Sequence, residues 1–209
     1  RASKNFGLVV ACVYFDLDRK VPILAFLQWI LANHLHEIAE SNPSDLVAIF
    51  QKIMLTRKRT IFVSMPFNKK ETKDHYAAIT EVVESINRDY PDFKPPLTVK
   101  RVDFHTEGAS YPIRAKIDDF MANCGLLLAD LTYCNPNVYH EIGFMDGKAK
   151  GEASERPDVL MFLDESVPAD AQAVGFNLRD SSQIRFEQIA DFKEKLRTNL
   201  EQHFKLTFS

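Results

Sequence analysis

Glycine is scarce in this 209-residue chain, with seven in all, so an architecture built on glycine-rich phosphate loops is not expected. Neither G-x-G-x-x-G nor G-x-x-x-x-G-K-[S/T] occurs, which excludes the dinucleotide fingerprint and the P-loop. Cysteine is equally sparse. Cys12, Cys124 and Cys134 form no C-x-x-C pair and leave an odd count, so a disulfide scaffold gives way to three free thiols in a reducing compartment. No H-E-x-x-H and no zinc-type Cys/His spacing is present. His34 and His36 lie two apart on a predicted helix, about 200° around it, and do not share a metal. No metal or other cofactor is expected, and without a G-x-S-x-G elbow nothing supports a serine hydrolase. A basic excess is missing too. Lys and Arg number 26 against 29 Asp and Glu, for a formal net charge of -3, which argues against direct nucleic-acid binding. The longest apolar stretch, Val21 to Ala32, is interrupted by Gln28 and falls short of the ~20 residues that span a bilayer. With no secretory signal pattern, the expectation is a soluble cytoplasmic protein with no membrane partner. The chain starts at Arg1 rather than Met, as a processed chain or a piece of a longer one would.

What is present is ordinary globular material, 45% hydrophobic and 26% charged, with sixteen Phe against one Trp supplying a core that needs no metal or disulfide staple. Residues 6 to 15 read as a buried strand. Pro22 opens a helix whose apolar positions keep helical spacing to Glu40. Ser44 or Asp45 caps a second helix through Met54, and Arg57-Lys58-Arg59 suits the negative end of that helical pair. From Thr60 the pattern becomes strands alternating with helices. Strands are predicted at Thr60 to Met65, Leu97 to Val102, Gly125 to Ala129, Asp158 to Leu163 and Gln183 to Phe186. Helices are predicted from around Tyr76 to an end near Tyr90-Pro91, at Ile113 to Met121, from Asn135-Pro136 to near Gly147, and at Ile189 to Phe204. Gly151 to Pro157 reads as an exposed loop. This alternation predicts an α/β fold with a three-layer, mostly parallel sheet of flavodoxin/Rossmann-like type. The domain runs over residues 60–209, behind a strand and helical element at 1–59.

In open sheets of this kind ligands bind outside the carboxyl ends of the strands. That rule selects Ser64-Met65-Pro66-Phe67, Arg101-Val102-Asp103-Phe104, Asp130-Leu131-Thr132, and Asn135 to Glu141. In the last segment Asn135 and Pro136 fit an N-cap and first turn. Asn137 and Glu141, four apart, then share one helical face, with Val138, Ile142 and Met145 at core spacing beside them. A Glu with an amide neighbour at a ligand edge has the chemistry to stabilise or attack an electron-poor sugar carbon, or simply to satisfy the helix start. Asp130 and Thr132 alternate to one side, where they suit ribose hydroxyls, a base edge or an Asx-type turn. Arg101 and Asp103 suit either a ligand or an ion pair with each other.

The runs Ile61-Phe62-Val63-Ser64-Met65-Pro66-Phe67, Arg101-Val102-Asp103, Ala129-Asp130-Leu131-Thr132, and Asn135-Pro136-Asn137-Val138-Tyr139-His140-Glu141-Ile142-Gly143 together resemble the nucleoside 2-deoxyribosyltransferase-like group. That group is similar in fold to TIR domains, and bacterial members of both occur in nucleotide signalling and phage defence. The resemblance covers about Thr60 to Phe186. It implies cleavage of an N-glycosidic bond, with Glu141 matching the family nucleophile, Asp130 the acid that ends the third strand, and Asn137 the nearby amide. Ser64, Pro66, Phe67, Arg101, Asp103, Thr132 and Tyr139 are then the candidate substrate contacts. The implied partner is a nucleoside or nucleotide, NAD included. Self-assembly into a homo-oligomer is expected, as for TIR-like domains. The resemblance leaves room for a non-catalytic nucleotide sensor or a TIR-like assembly module.

The apolar positions of the helices before Leu55 occupy more than one face and need a surface to bury against. Deleting residues 1–55 is therefore expected to leave a folded α/β body that melts lower and self-associates. Melting temperature and sedimentation of the truncated chain check this; an unchanged, monomeric product would make residues 1–55 an independent module.

Overall fold

The computed structural model describes residues 43–66, 69–102, 113–152, 154, 157–168, 178 and 181–206. The expected strand at 6–15 and helix at 22–40 lie outside this set, as do Phe67 and Asp103. The chain divides into two compact units, residues 1–55 and 56–209. Of the first, only the start of helix α1 (Pro43–Lys58) is described. This helix carries Arg57 and Lys58 in its last turn, the basic residues that suit a helix C-terminus.

The second unit is the α/β body. Its elements are β1 (Thr60–Ser64), α2 (Glu71–Asp89), β2 (Thr98–Lys100), α3 (Ile113–Asn123), β3 (Leu126–Asp130), α4 (Pro136–Gly151), β4 (Val159–Asp164), β5 (Gln183–Phe186) and α5 (Ile189–His203). The five strands form one sheet in the order β2-β1-β3-β4-β5, and every neighbouring pair is parallel. The fold is thus α/β with an all-parallel sheet, in the flavodoxin-like strand order.

Period-two alternation sorts the strand residues onto two buried faces. Ile61, Val63, Leu126, Leu128, Phe162, Ile184 and Phe186 pack with Ile79, Val82, Val83 and Ile86 of α2 and with Phe192, Leu196 and Leu200 of α5. Phe62, Leu127, Ala129, Met161 and Leu163 pack on the opposite face with Phe120 and Met121 of α3 and Val138, Ile142 and Met145 of α4. Helices on both sides of one sheet make the three layers.

The bounds of β1, β3 and β4 fall one residue from expectation, and two elements differ further at their ends. β2 keeps only three residues of the run read from Leu97 to Val102, because Arg101 and Val102 turn inward to buried positions beyond the ladder. α4 continues past Gly147 to Gly151. Glycine weakens a helix without forbidding it, and here Glu152 N–H closes on the Lys148 carbonyl at 2.9 Å.

One glycine is fixed by close approach. A Cβ on Gly125 would lie 2.0 Å from the Lys58 carbonyl oxygen and 2.4 Å from its carbonyl carbon, where the chain leaving α1 passes the start of β3. The Gly125 N–H bonds the Thr60 carbonyl at 2.9 Å in the same place. Gly147, in contrast, has nothing within 4 Å of a built Cβ. Gly125→Ala is expected to destabilise by about 1–3 kcal/mol through backbone displacement, while Gly147→Ala stabilises by up to about 1 kcal/mol. Paired thermal melts of the two variants measure the difference, and equal effects would contradict it.

Candidate functional site

The chain leaves β1 towards β2 on one side of the sheet and returns as β3 on the other. β1 and β3 therefore flank the switch point at which open α/β sheets bind ligands. A cleft opens there. It is lined by Phe62, Val63, Ser64 and Met65 from the end of β1, by Val102 and Ile117, and by Asn135, Asn137, Val138 and Glu141 from the start of α4. It is small, with about 60 Å³ open to the centres of water-sized molecules.

α4 is built to place its polar groups in this cleft. The Asn135 side chain accepts a hydrogen bond from Asn137 N–H at 2.9 Å, and Pro136 follows in the first turn. This fixes where the helix starts and hence the rotation of everything after it. The buried stripe then reads Val138, Glu141, Ile142, Met145 and Ala149. Glu141 is 6% exposed and sits where helical periodicity otherwise places an apolar side chain. Asn137, one turn earlier, is exposed at the cleft mouth. Glu141 lies in the second turn, beyond the stretch over which a helix dipole acts strongly, so its setting is governed by burial and the cleft rather than by the helix terminus.

Of the residues singled out from the sequence, the structure brings Ser64, Asn137 and Glu141 together in the cleft. Asp130 is at the same sheet end but on the opposite face. The register explains this. Ser64 pairs with Ala129, partners in a parallel ladder share a face, and Asp130 is one residue further on. Asp130 and Glu141 therefore share an end of the sheet but not a face. Thr132 is fully buried and accepts through Oγ1 from Asp164 N–H at 3.1 Å. Arg101 is buried, with Nη1 3.1 Å from Met65 Sδ and its guanidinium 4.4 Å over the Tyr76 ring. Tyr139 is partly buried against the α3–α4 core. Pro66 is buried just after β1 and is not among the cleft-lining residues.

Behind the cleft lies a cluster that the sequence reading missed. Asp130 Oδ2 is 3.1 Å from His75 Nδ1, and Asp164 Oδ2 is 2.9 Å from His75 Nε2. Asp130 and His75 are 0% exposed and Asp164 is 5% exposed. Asp130 Oδ1 accepts from Thr132 N–H at 2.9 Å, and Asp164 Oδ1 accepts from Ser166 N–H at 2.9 Å and its hydroxyl at 2.6 Å. Burial pulls the His75 pKa down, but hydrogen bonds and charge from Asp130 and then Asp164 outweigh it and hold it above the ordinary value. The signal was legible in two parts. Asp164 ends an apolar strand just as Asp130 does, and His75 falls between Thr72 and Ile79 on the buried stripe of α2.

Other reactive groups are poorly placed. Burial pushes the Cys124 thiol up to about 11, which suits a structural rather than a nucleophilic thiol. Among the described residues no group of three or more His, Cys, Asp or Glu is placed to hold a metal ion. No described helix is long and apolar enough to cross a membrane.

The chain matches no protein-family model and no curated protein. Its function is therefore argued from the site.

Asn135→Ala is expected to cost about 1 kcal/mol by removing the cap, while Asn135→Asp, which keeps an acceptor, stays close to wild type. Chemical denaturation of both variants measures it. Equal losses would show that the cap does not set the start of α4.

Proposed function

We propose that the cleft binds a nucleoside or nucleotide and that Glu141 cleaves its N-glycosidic bond. The observation that carries the reading is a carboxylate 6% exposed on the buried stripe of α4, opening into the cleft at the sheet's switch point. A carboxylate on the buried stripe of a helix at a sheet's ligand edge is the kind of departure from the apolar pattern that functional sites show. The motif resemblance around Glu141-Ile142-Gly143 supports the same assignment.

The residues suit the parts of such a reaction. Phe62, Ile117 and Val138 offer an apolar wall to a planar base. Ser64 and Asn137 supply hydroxyl and amide groups for the sugar. As the bond from the anomeric carbon to the base nitrogen breaks, the bonding electron pair leaves with the base, which takes a proton from solvent. The Glu141 carboxylate stabilises the electron-poor carbon or bonds to it as a glycosyl ester. Water then releases the sugar as a hydrolase product, or a second base accepts it in a transfer. Asp130, engaged by His75 and Thr132 on the opposite face, holds the strand end rather than the sugar.

Incubation of the purified chain with NAD and a panel of ribo- and deoxyribonucleosides, followed by chromatography for released base, tests this. Glu141→Gln is expected to lower turnover by on the order of a thousandfold or more while ligand binding persists. Its melting temperature should change little, since Gln keeps the shape and most hydrogen bonds of Glu. Full activity in that variant would remove the mechanism. Tight binding by the wild type with no base released would make the cleft a sensor.

A further inference from the structure

The ends of β3 and β4 are joined by a closed polar circuit. His75 spans Asp130 and Asp164, Asp130 accepts from Thr132 N–H, and Thr132 Oγ1 accepts from Asp164 N–H. A neutral imidazole carries one N–H and one lone pair. With a carboxylate oxygen at each ring nitrogen, both contacts are hydrogen bonds only when the ring carries two protons, or when one carboxyl is itself protonated. The surroundings leave no solvent to relieve a mismatch. Phe162, Phe186 and Phe192 ring the imidazole at centroid distances of 5.7, 5.4 and 6.2 Å. Among the described residues the charged groups facing it are Asp130 and Asp164, with Glu71 about one turn away on α2, held by the Tyr133 hydroxyl at 2.6 Å. The element after β5 presents Phe192 to the ring, and β5 itself presents Phe186.

We propose that His75, clamped between Asp130 and Asp164, is a proton-loaded lock on the strand ends behind the cleft, closed while the imidazole carries both protons and released when it loses one. On release, a ring lone pair faces a carboxylate oxygen in a dry site, and the contact opens. Because Asp130 and Thr132 bear directly on the turn from Leu131 to Cys134, closed by Cys134 N–H on the Leu131 carbonyl at 3.1 Å, the opening is passed to Asn135 and the start of α4. Alkaline pH thus loosens the cleft without touching a cleft residue. The lock stands whether or not the cleft turns over a nucleoside.

The folded-state pKa of His75 lies above its unfolded value. The stability it contributes is therefore complete below about pH 6.5 and is lost as pH rises through the folded value. Two measurements on the full chain test the proposal. In ¹⁵N-histidine-labelled protein, with the His75→Gln variant identifying the signal, both ring nitrogens of His75 are expected in the imidazolium range at pH 7. In thermal melts from pH 6 to 9.5, the wild-type folding constant is expected to fall about tenfold for each unit by which the His75 pKa is raised. Asp164→Asn should flatten this profile, because its amide donates to a neutral Nε2 while Nδ1–H stays on Asp130. A neutral single tautomer at pH 7 would overturn the proposal, as would superimposable wild-type and Asp164→Asn profiles. Should Asp164→Asn not fold, the nitrogen shifts of the wild type decide alone.

Discussion

Everything at the ligand edge follows from the parallel register between β1 and β3. Ile61 pairs with Leu126, Phe62 with Leu127, Val63 with Leu128 and Ser64 with Ala129. Partners in a parallel ladder share a face, and the side-chain period is two, so this one alignment decides which polar strand ends can meet. It sends Ser64 to the α3–α4 side, where Glu141 waits, and Asp130 to the α2–α5 side, where His75 waits. A slip of one residue would put Ser64 and Asp130 on the same face.

The alternation of apolar runs and helical stripes was enough to read the α/β class, the five strands and the helices of the body, because the inner strands β1 and β3 are buried on both faces and so carry an unbroken apolar signature. β5 and the start of α5 were legible to the residue. The ends of β2 and α4 were not, because Arg101 and Val102 remain buried after leaving the ladder and because a helix can run through isolated glycines. For the site, the strand-end rule selected the sheet edge and the helix that line the cleft. It could not find the faces. Which residue of β3 lies beside Ser64 depends on inter-strand pairing, which no local pattern states. His75 was overlooked for a related reason: a lone histidine on an amphipathic stripe has no partner in sequence, and Asp130 and Asp164 reach it from 55 and 89 residues away.

The two acidic sites are handled in opposite ways. Asp130 and Asp164 are buried with their counter-group and with backbone donors, which is how a protein keeps carboxylates in a core. Glu141 stands on a core stripe but opens to a cleft. Acids bonded to His75 brace the strand ends on one face, and Glu141 lines the cleft on the other. The sheet between them is one strand thick, so the bracing and the cleft are mechanically close while remaining chemically separate.

The strand lengths carry a consequence for colloidal behaviour. The sheet is narrowest at its margins: β2 has three residues and β5 four, against five or six for the inner strands. Each margin offers only a brief row of open backbone donors and acceptors, too short to template a stranger's strand with useful affinity. Among the described residues, the margins of this sheet therefore offer copies meeting at high concentration little to zip along.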